Sequence, residues 1–160
     1  MVRDDNFKQS PHSHMMFNTK RLVKLVEYAL SDSGASSHFL VEGSTVINVC
    51  VAEFLIAIKL PDESIIYSTH TCNLDIPWLP NEMTEAHIVP GLQHLSLISI
   101  KKFCEVGCKV VFDEKECRIY YKGELVLSGG RDERTHMWKL PINPISKNNM
   151  IEGLDLHIPC

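Results

Sequence analysis

Asp32, Ser33 and Gly34 form a short sequence typical of carboxylate chemistry in this chain of 160 residues. They follow the apolar run Leu25–Leu30, so we expect Asp32 at the end of a strand and a tight turn at Gly34. Two adjacent carboxyl groups can activate water when one is ionised and the other keeps its proton. Asp-Ser-Gly occurs once, so the second carboxylate of such a pair has to come from a second copy of the chain. The same three residue types are also ordinary turn formers.

The length and composition are those of one domain, or of one domain with an appendage. Hydrophobic residues make up 44% of the chain and charged residues 22%, as in soluble globular proteins. A net charge of -4, without a basic stripe, argues against direct nucleic-acid binding. The first residues are acidic, and the most apolar window, Val46–Leu60, is too short to cross a bilayer. We therefore expect no secretory signal, no membrane partner and a cytoplasmic protein.

The six cysteines are scattered through the sequence, and without a secretory signal we expect them to be reduced. Cys104, Cys108 and Cys117 could in principle hold zinc, but a fourth ligand and the usual spacing are lacking. We expect no metal and no other cofactor.

The hydrophobic pattern predicts a mostly β chain with one short helix that ends near Gly107. A hairpin over about Phe54–Thr71, around a turn at Pro61–Ser64, could fold over a cleft as a flap or be an ordinary sheet hairpin. The other predicted strands are a first strand at Leu25–Leu30, one at Val46–Val51, and one from Glu85 that ends in the turn at Pro90-Gly91. Hairpin strands from Lys109 to Ser128 end at Gly129-Gly130, and a last strand is predicted at Met137–Pro141.

Three segments, in this order, resemble the Pol polyprotein of copia-type LTR retrotransposons. Asp32–Phe39 resembles the protease signature of that family, and His87–Ile100 resembles its Val-Pro-Gly-Leu segment. Gly107–Asp113, followed by Gly123–Leu127 and Arg131-Asp132, resembles the β segment that precedes the integrase. The resemblance covers roughly residues 25 to 143.

The resemblance implies a retropepsin-like β-barrel with a short helix, followed by a small β-hairpin appendage. The implied divisions are an unstructured lead-in (1–20), a retropepsin-like domain (21–104), a pre-integrase-like segment (105–143) and an irregular tail (144–160). Zinc modules that flank these regions in the family are absent from the sequence, so we expect a fragment or a truncated element.

The resemblance also implies site residues and partners. Asp32 matches the catalytic aspartate of an aspartic endopeptidase that acts as a homodimer on polyprotein peptides. Ser33, Gly34 and Ala35 complete its loop. The residues Leu97, Ile98 and Ser99 match a second motif that packs beneath this loop, with serine in place of the retroviral glycine, as is common in copia-type sequences.

Three alternatives remain open from the sequence. The chain could be a catalytically inactive β module, because one carboxylate cannot act as both acid and base. Asp32–Ser37 also fits a phosphorylation-dependent degradation motif, which would have to be exposed and flexible. Serine-nucleophile chemistry at Ser36 or Ser37, with His38 as base, lacks the Gly-x-Ser-x-Gly elbow.

Overall fold

The structure is a computed structural model that describes residues 25–93 and 95–147. The predicted mostly β fold class is confirmed there. Three short helical segments occur in these residues: α1 (Asn81–Thr84), a 3-10 turn (Pro90–Leu92) and α2 (Ile100–Glu105). The strands in these residues are β1 (Tyr28–Asp32), β2 (His38–Leu40), β3 (Ile47–Val51), β4 (Ala57–Lys59), β5 (Ile65–Tyr67), β6 (His70–Asn73), β7 (Glu85–Ile88), β8 (Leu97–Ser99), β9 (Lys109–Phe112), β10 (Glu116–Tyr121), β11 (Glu124–Gly130) and β12 (Lys139–Pro141).

Seven strands form one sheet in the order β12-β1-β8-β2-β7-β6-β3. The strand β8 lies between β1 and β2, parallel to the first and antiparallel to the second. A closed barrel requires the two outermost strands to pair with each other. Over residues 25–93 and 95–147, β12 and β3 remain the two edges of an open sheet, so the expected closed barrel is not formed.

The predicted hairpin is present as a separate two-stranded sheet of β4 and β5. Its turn closes through two hydrogen bonds: Leu60 N–H donates to Ser64 O, and Glu63 N–H donates to Leu60 O. The carboxylate of Asp62 accepts a further bond from Ser64 N–H at 3.0 Å. The turn predicted from Pro61 to Ser64 is therefore confirmed.

The C-terminal part of the described chain packs on the same core as the N-terminal part. The strands β9, β10 and β11 form a three-stranded antiparallel sheet, while β12 leaves it to pair with β1. A single hydrophobic cluster includes Leu40 and Ile98 as well as Ile119 and Leu127. The predicted boundary between residues 104 and 105 thus lies inside α2 and inside one continuous core.

Several predicted strand bounds differ from those in the structure; the last strand, for example, begins at Lys139 instead of Met137. The first strand begins at Tyr28 instead of Leu25. Before Tyr28, the buried side chain of Asn143 accepts from Glu27 N–H and donates to Leu25 O, where a strand would pair with the backbone of a neighbouring strand. β11 continues through Gly129, which was expected to end it. The helix expected near Gly107 is confirmed: α2 ends at Glu105, and Gly107 has a positive φ of 100°. The predicted lead-in (1–20) and most of the tail lie outside the described residues.

Candidate functional site

Asp32 is the last residue of β1, at the point where the chain leaves the sheet. The backbone N–H of Gly34 donates to Asp32 Oδ1 at 2.7 Å, which fixes one carboxylate oxygen over the turn. A Cβ atom at Gly34 would lie 3.3 Å from the same oxygen. The turn therefore brings the backbone close to the carboxylate, and the absence of a side chain at Gly34 accommodates that approach.

The second predicted motif lies directly beside the first. In the parallel ladder of β1 and β8, Leu30 is opposite Leu97 and Asp32 is opposite Ser99. Ile98 and Ser99 are fully buried, and Ile98 belongs to the main hydrophobic cluster. The structure thus brings together two sequence motifs that are separated by more than half of the described chain.

Ser99 connects the loop after Asp32 to the helix that follows β8. Its hydroxyl donates to Ala35 O at 2.6 Å and accepts a bond from Lys102 N–H at 3.0 Å. The second bond makes Ser99 the N-cap of α2. A glycine could make neither bond, so a serine at position 99 has a structural role of its own.

His38 lies under the same loop and is fully buried. Its ring contacts Phe103, with centroids 5.3 Å apart, and both of its nitrogens are hydrogen-bonded. Burial lowers the pKa of the His38 imidazole to about 4, although a hydrogen bond to the Met83 carbonyl acts in the opposite direction. The ring is therefore neutral at physiological pH.

The hairpin β4–β5 packs on the loop that carries Asp32. A second, smaller hydrophobic cluster joins Ala35, Phe39 and Val89 to the half-buried side chains Ile58 and Ile66 of the hairpin. The outer residues of the hairpin, among them Ile65 and Tyr67, are exposed. One face of the hairpin therefore covers the loop while the other faces solvent.

The two remaining interpretations of the Asp-Ser-Gly segment meet structural obstacles. Ala35 is buried and its carbonyl is bound by Ser99, so the segment is not a free, flexible linker of the kind a degradation motif needs. Nε2 of His38 is hydrogen-bonded to the Met83 carbonyl, and Nδ1 is hydrogen-bonded to the Ser99 amide. Neither nitrogen is therefore directed at Ser36 or Ser37.

The cysteines considered as zinc ligands do not form a common site. Cys108 and Cys117 are buried, whereas Cys104 is exposed. Burial raises the pKa of the Cys108 thiol to about 11 and that of Cys117 to about 12, which disfavours the thiolate that zinc requires. No group of three or more potential metal ligands was found over residues 25–93 and 95–147.

His38 was not predicted as part of the site. The available signal was a histidine placed directly before the apolar residues Phe39 and Leu40, which is unusual for a buried strand.

Among the residues that the structure describes, no helix is long and apolar enough to cross a membrane. Comparisons of the sequence with protein-family models and with curated proteins, and of the chain with solved structures, gave no match.

Proposed function

We propose that this chain is one subunit of a retropepsin-like aspartic endopeptidase, related to the protease of copia-type retrotransposons, which cleaves polyprotein peptides as a homodimer. The observation that carries the proposal is the contact between the two motifs: β8 is inserted between β1 and β2, and Ser99 is bound to the loop after Asp32. An acid–base pair requires such a held loop, because errors in placing the groups greatly reduce the rate.

In the proposed reaction, the Asp32 side chains of two subunits share one proton. The ionised carboxylate removes a proton from a water molecule, whose oxygen attacks the peptide carbonyl carbon. The protonated partner donates to the developing carbonyl oxygen, which gives a gem-diol. The carboxyl group that took the water proton then gives it to the leaving amide nitrogen, while the other carboxylate takes a proton from one diol hydroxyl as the carbonyl re-forms. The C–N bond breaks without a covalent enzyme intermediate, and neither a metal nor an organic cofactor takes part.

The hairpin β4–β5 supports the substrate class. Its inner face packs on Ala35 and Phe39 in the smaller hydrophobic cluster. The hairpin therefore contacts the loop without being part of the main hydrophobic core. An extended peptide bound along an edge of this two-stranded hairpin, beside the loop, would gain backbone hydrogen bonds as an added strand does.

The experiment that tests the proposal begins with oligomeric state. Sedimentation velocity at micromolar concentration is measured with and without a statine-containing peptide, whose hydroxyl imitates the tetrahedral intermediate. We expect a dimer that the peptide tightens, because the inhibitor binds across both subunits. A monomer that the peptide leaves unchanged would contradict the proposal and favour the inactive β module.

Cleavage of a peptide library then identifies the reaction. Asp32→Asn keeps an oxygen that can accept from Gly34 N–H, so the loop can persist while the acid–base chemistry is lost. Asp113→Asn is the matched control, since Asp113 also accepts backbone N–H bonds in an exposed turn. Adding an equal amount of Asp32→Asn to a fixed amount of wild type should reduce the activity to about half of that of the wild type alone, if subunits exchange freely. Unchanged activity in the mixture would exclude a shared pair.

A further inference from the structure

The hydrogen-bond partners of His38 determine where its ring proton lies. The backbone N–H of Ser99 can only donate, and it lies 2.9 Å from Nδ1, so Nδ1 has to be the acceptor. The carbonyl oxygen of Met83 can only accept, and it lies 2.7 Å from Nε2, so Nε2 has to carry the proton. Both bonds can exist together only in the neutral ring with its proton on Nε2.

These two bonds connect three elements around Asp32. His38 is the first residue of β2, Met83 is in α1, and Ser99 is the last residue of β8. Ser99 is in turn opposite Asp32 in the ladder and bound to Ala35 through its hydroxyl. The imidazole therefore holds the backbone of the residue that supports the loop, from the side opposite the carboxylate strand.

We propose that His38 is a positioning residue of the Asp32 site, whose neutral ring fixes the backbone of Ser99 and through it the loop after Asp32. This inference rests on the proposed function for its effect on catalysis, while its structural part can be tested without any activity. The titratable groups that act on the ring are Lys102 of α2 and His87 of β7. Lys102 is itself held by the Glu85 carbonyl at 2.9 Å and lies near the Glu85 carboxylate.

The first test observes the ring directly in the wild-type chain. Nitrogen-15 NMR of the histidine side chains at pH 7 should show His38 with an unprotonated Nδ1 and a protonated Nε2. The Ser99 amide should exchange slowly with solvent. A proton on Nδ1, or a rapidly exchanging Ser99 amide, would overturn the proposal, and this result needs neither a variant nor an active enzyme.

The second test separates the two bonds with a pair of variants. In His38→Asn, the amide oxygen can take the place of Nδ1 and accept from Ser99, while the bond to Met83 is lost. In His38→Gln, the longer amide can donate to Met83, while Ser99 N–H loses its acceptor. His87→Gln is the control, because His87 is a half-buried histidine whose Nδ1 has no hydrogen bond in the described chain.

We expect the glutamine variant to lose about tenfold or more in kcat with little change in KM, and the asparagine variant to retain most of kcat. Ser99 amide exchange should accelerate in the glutamine variant alone. Equal losses in both variants, or an unchanged Ser99 amide in the glutamine variant, would contradict a positioning role. If the wild type cleaves no peptide, the proposed function fails, but the NMR and exchange results still decide the role of His38.

Discussion

The Ser99 hydroxyl donates to the carbonyl oxygen of Ala35 across 2.6 Å, although 64 positions separate the two residues in the sequence. This bond ties the loop after Asp32 to the start of α2. Both residues are buried, so water does not readily replace the bond if the hydroxyl is removed.

Replacing Ser99 by alanine should therefore destabilise the domain. We expect a loss of about 1–2 kcal/mol in the free energy of unfolding, from the N-cap and from the unpaired Ala35 carbonyl. Ser99→Gly should lose somewhat more, since glycine adds backbone freedom to the unfolded chain. Urea denaturation measures both. Ser36→Ala, exposed in the same loop, is the control and should stay within about 0.5 kcal/mol of wild type.

The stability of the domain should fall in mildly acidic solution because of His38. Its pKa is about 4 in the folded chain and near 6.5 when unfolded, so the unfolded state binds more protons between these values. His38 stabilises the fold fully above pH 6.5, and this contribution, roughly 3 kcal/mol, is lost as the pH falls towards 4.

Unfolding free energies measured by urea at several pH values, for wild type and His38→Asn, test this expectation. The lowered pKa of His87 acts in the same direction, so the difference between the two curves isolates His38. Asp132, whose pKa its bond to Lys139 lowers to about 2, titrates below this window. Parallel curves from pH 7 to pH 4 would contradict a neutral, buried His38.

Gly129 should not tolerate a side chain. A Cβ atom there would lie 1.8 Å from the carbonyl oxygen of Lys139, a backbone atom of β12, so the two strands would have to separate. We expect Gly129→Ala to cost about 3 kcal/mol or more, or to prevent folding. At Gly130 the nearest such atom is 4.0 Å away, so Gly130→Ala is the matched control. Equal melting temperatures for the two variants would contradict this close approach.

The packing of the β4–β5 hairpin against the loop after Asp32 can be tested by a substitution at Gly91. A Cβ atom at this position would lie 2.6 Å from Cγ2 of Ile66, so Gly91→Ala should push β5 away from the site. Hydrogen exchange of the β4–β5 amides should accelerate in this variant. The background Ile66→Ala removes Cγ2, the closest atom, and leaves Cβ at 3.0 Å, so adding Gly91→Ala there should have a clearly smaller effect than in wild type. Additive effects would show that the two residues do not touch.

Thiol labelling should separate the cysteines by burial. Cys50 and Cys104 are exposed, whereas Cys72, Cys108 and Cys117 are buried and their pKa values are raised by desolvation to about 11 or 12. Maleimide should therefore modify the first two quickly and the other three only on unfolding. Peptide mass mapping after short labelling checks this, and rapid labelling of Cys117 would contradict the packing of β10.

Local sequence features predicted the elements whose cause is local. The Pro61–Ser64 turn, the hairpin around it and the end of α2 near Gly107 follow from residue types a few positions apart. The strand β2 and the helix α1, of three and four residues, were not predicted. Their place depends on distant partners: β2 pairs with β7 and β8, and α1 provides the carbonyl that His38 binds.

Sequence and structure differ most where backbone approach decides the outcome. Gly129 was interpreted as the end of a strand because glycine is a common breaker, yet its role is to let β12 approach β11. The proximity of Asp32 and Ser99 was implied by resemblance alone, since no periodicity relates β1 to β8. The open sheet could not be foreseen, because closure depends on the pairing of its outermost strands.

The position of β1 in the sheet also limits how early this part of the molecule can fold during synthesis. Leu30 pairs with Leu97, and Ala29 pairs with Leu140. The strand that carries Asp32 therefore cannot pair until the ribosome has synthesised β8 and β12, which lie much later in the sequence. Closing such long loops costs entropy before any contact compensates for it, which slows folding. A nascent chain would therefore display Asp32 long before it could hold that side chain in place, and any activity would begin only after the last strand had docked.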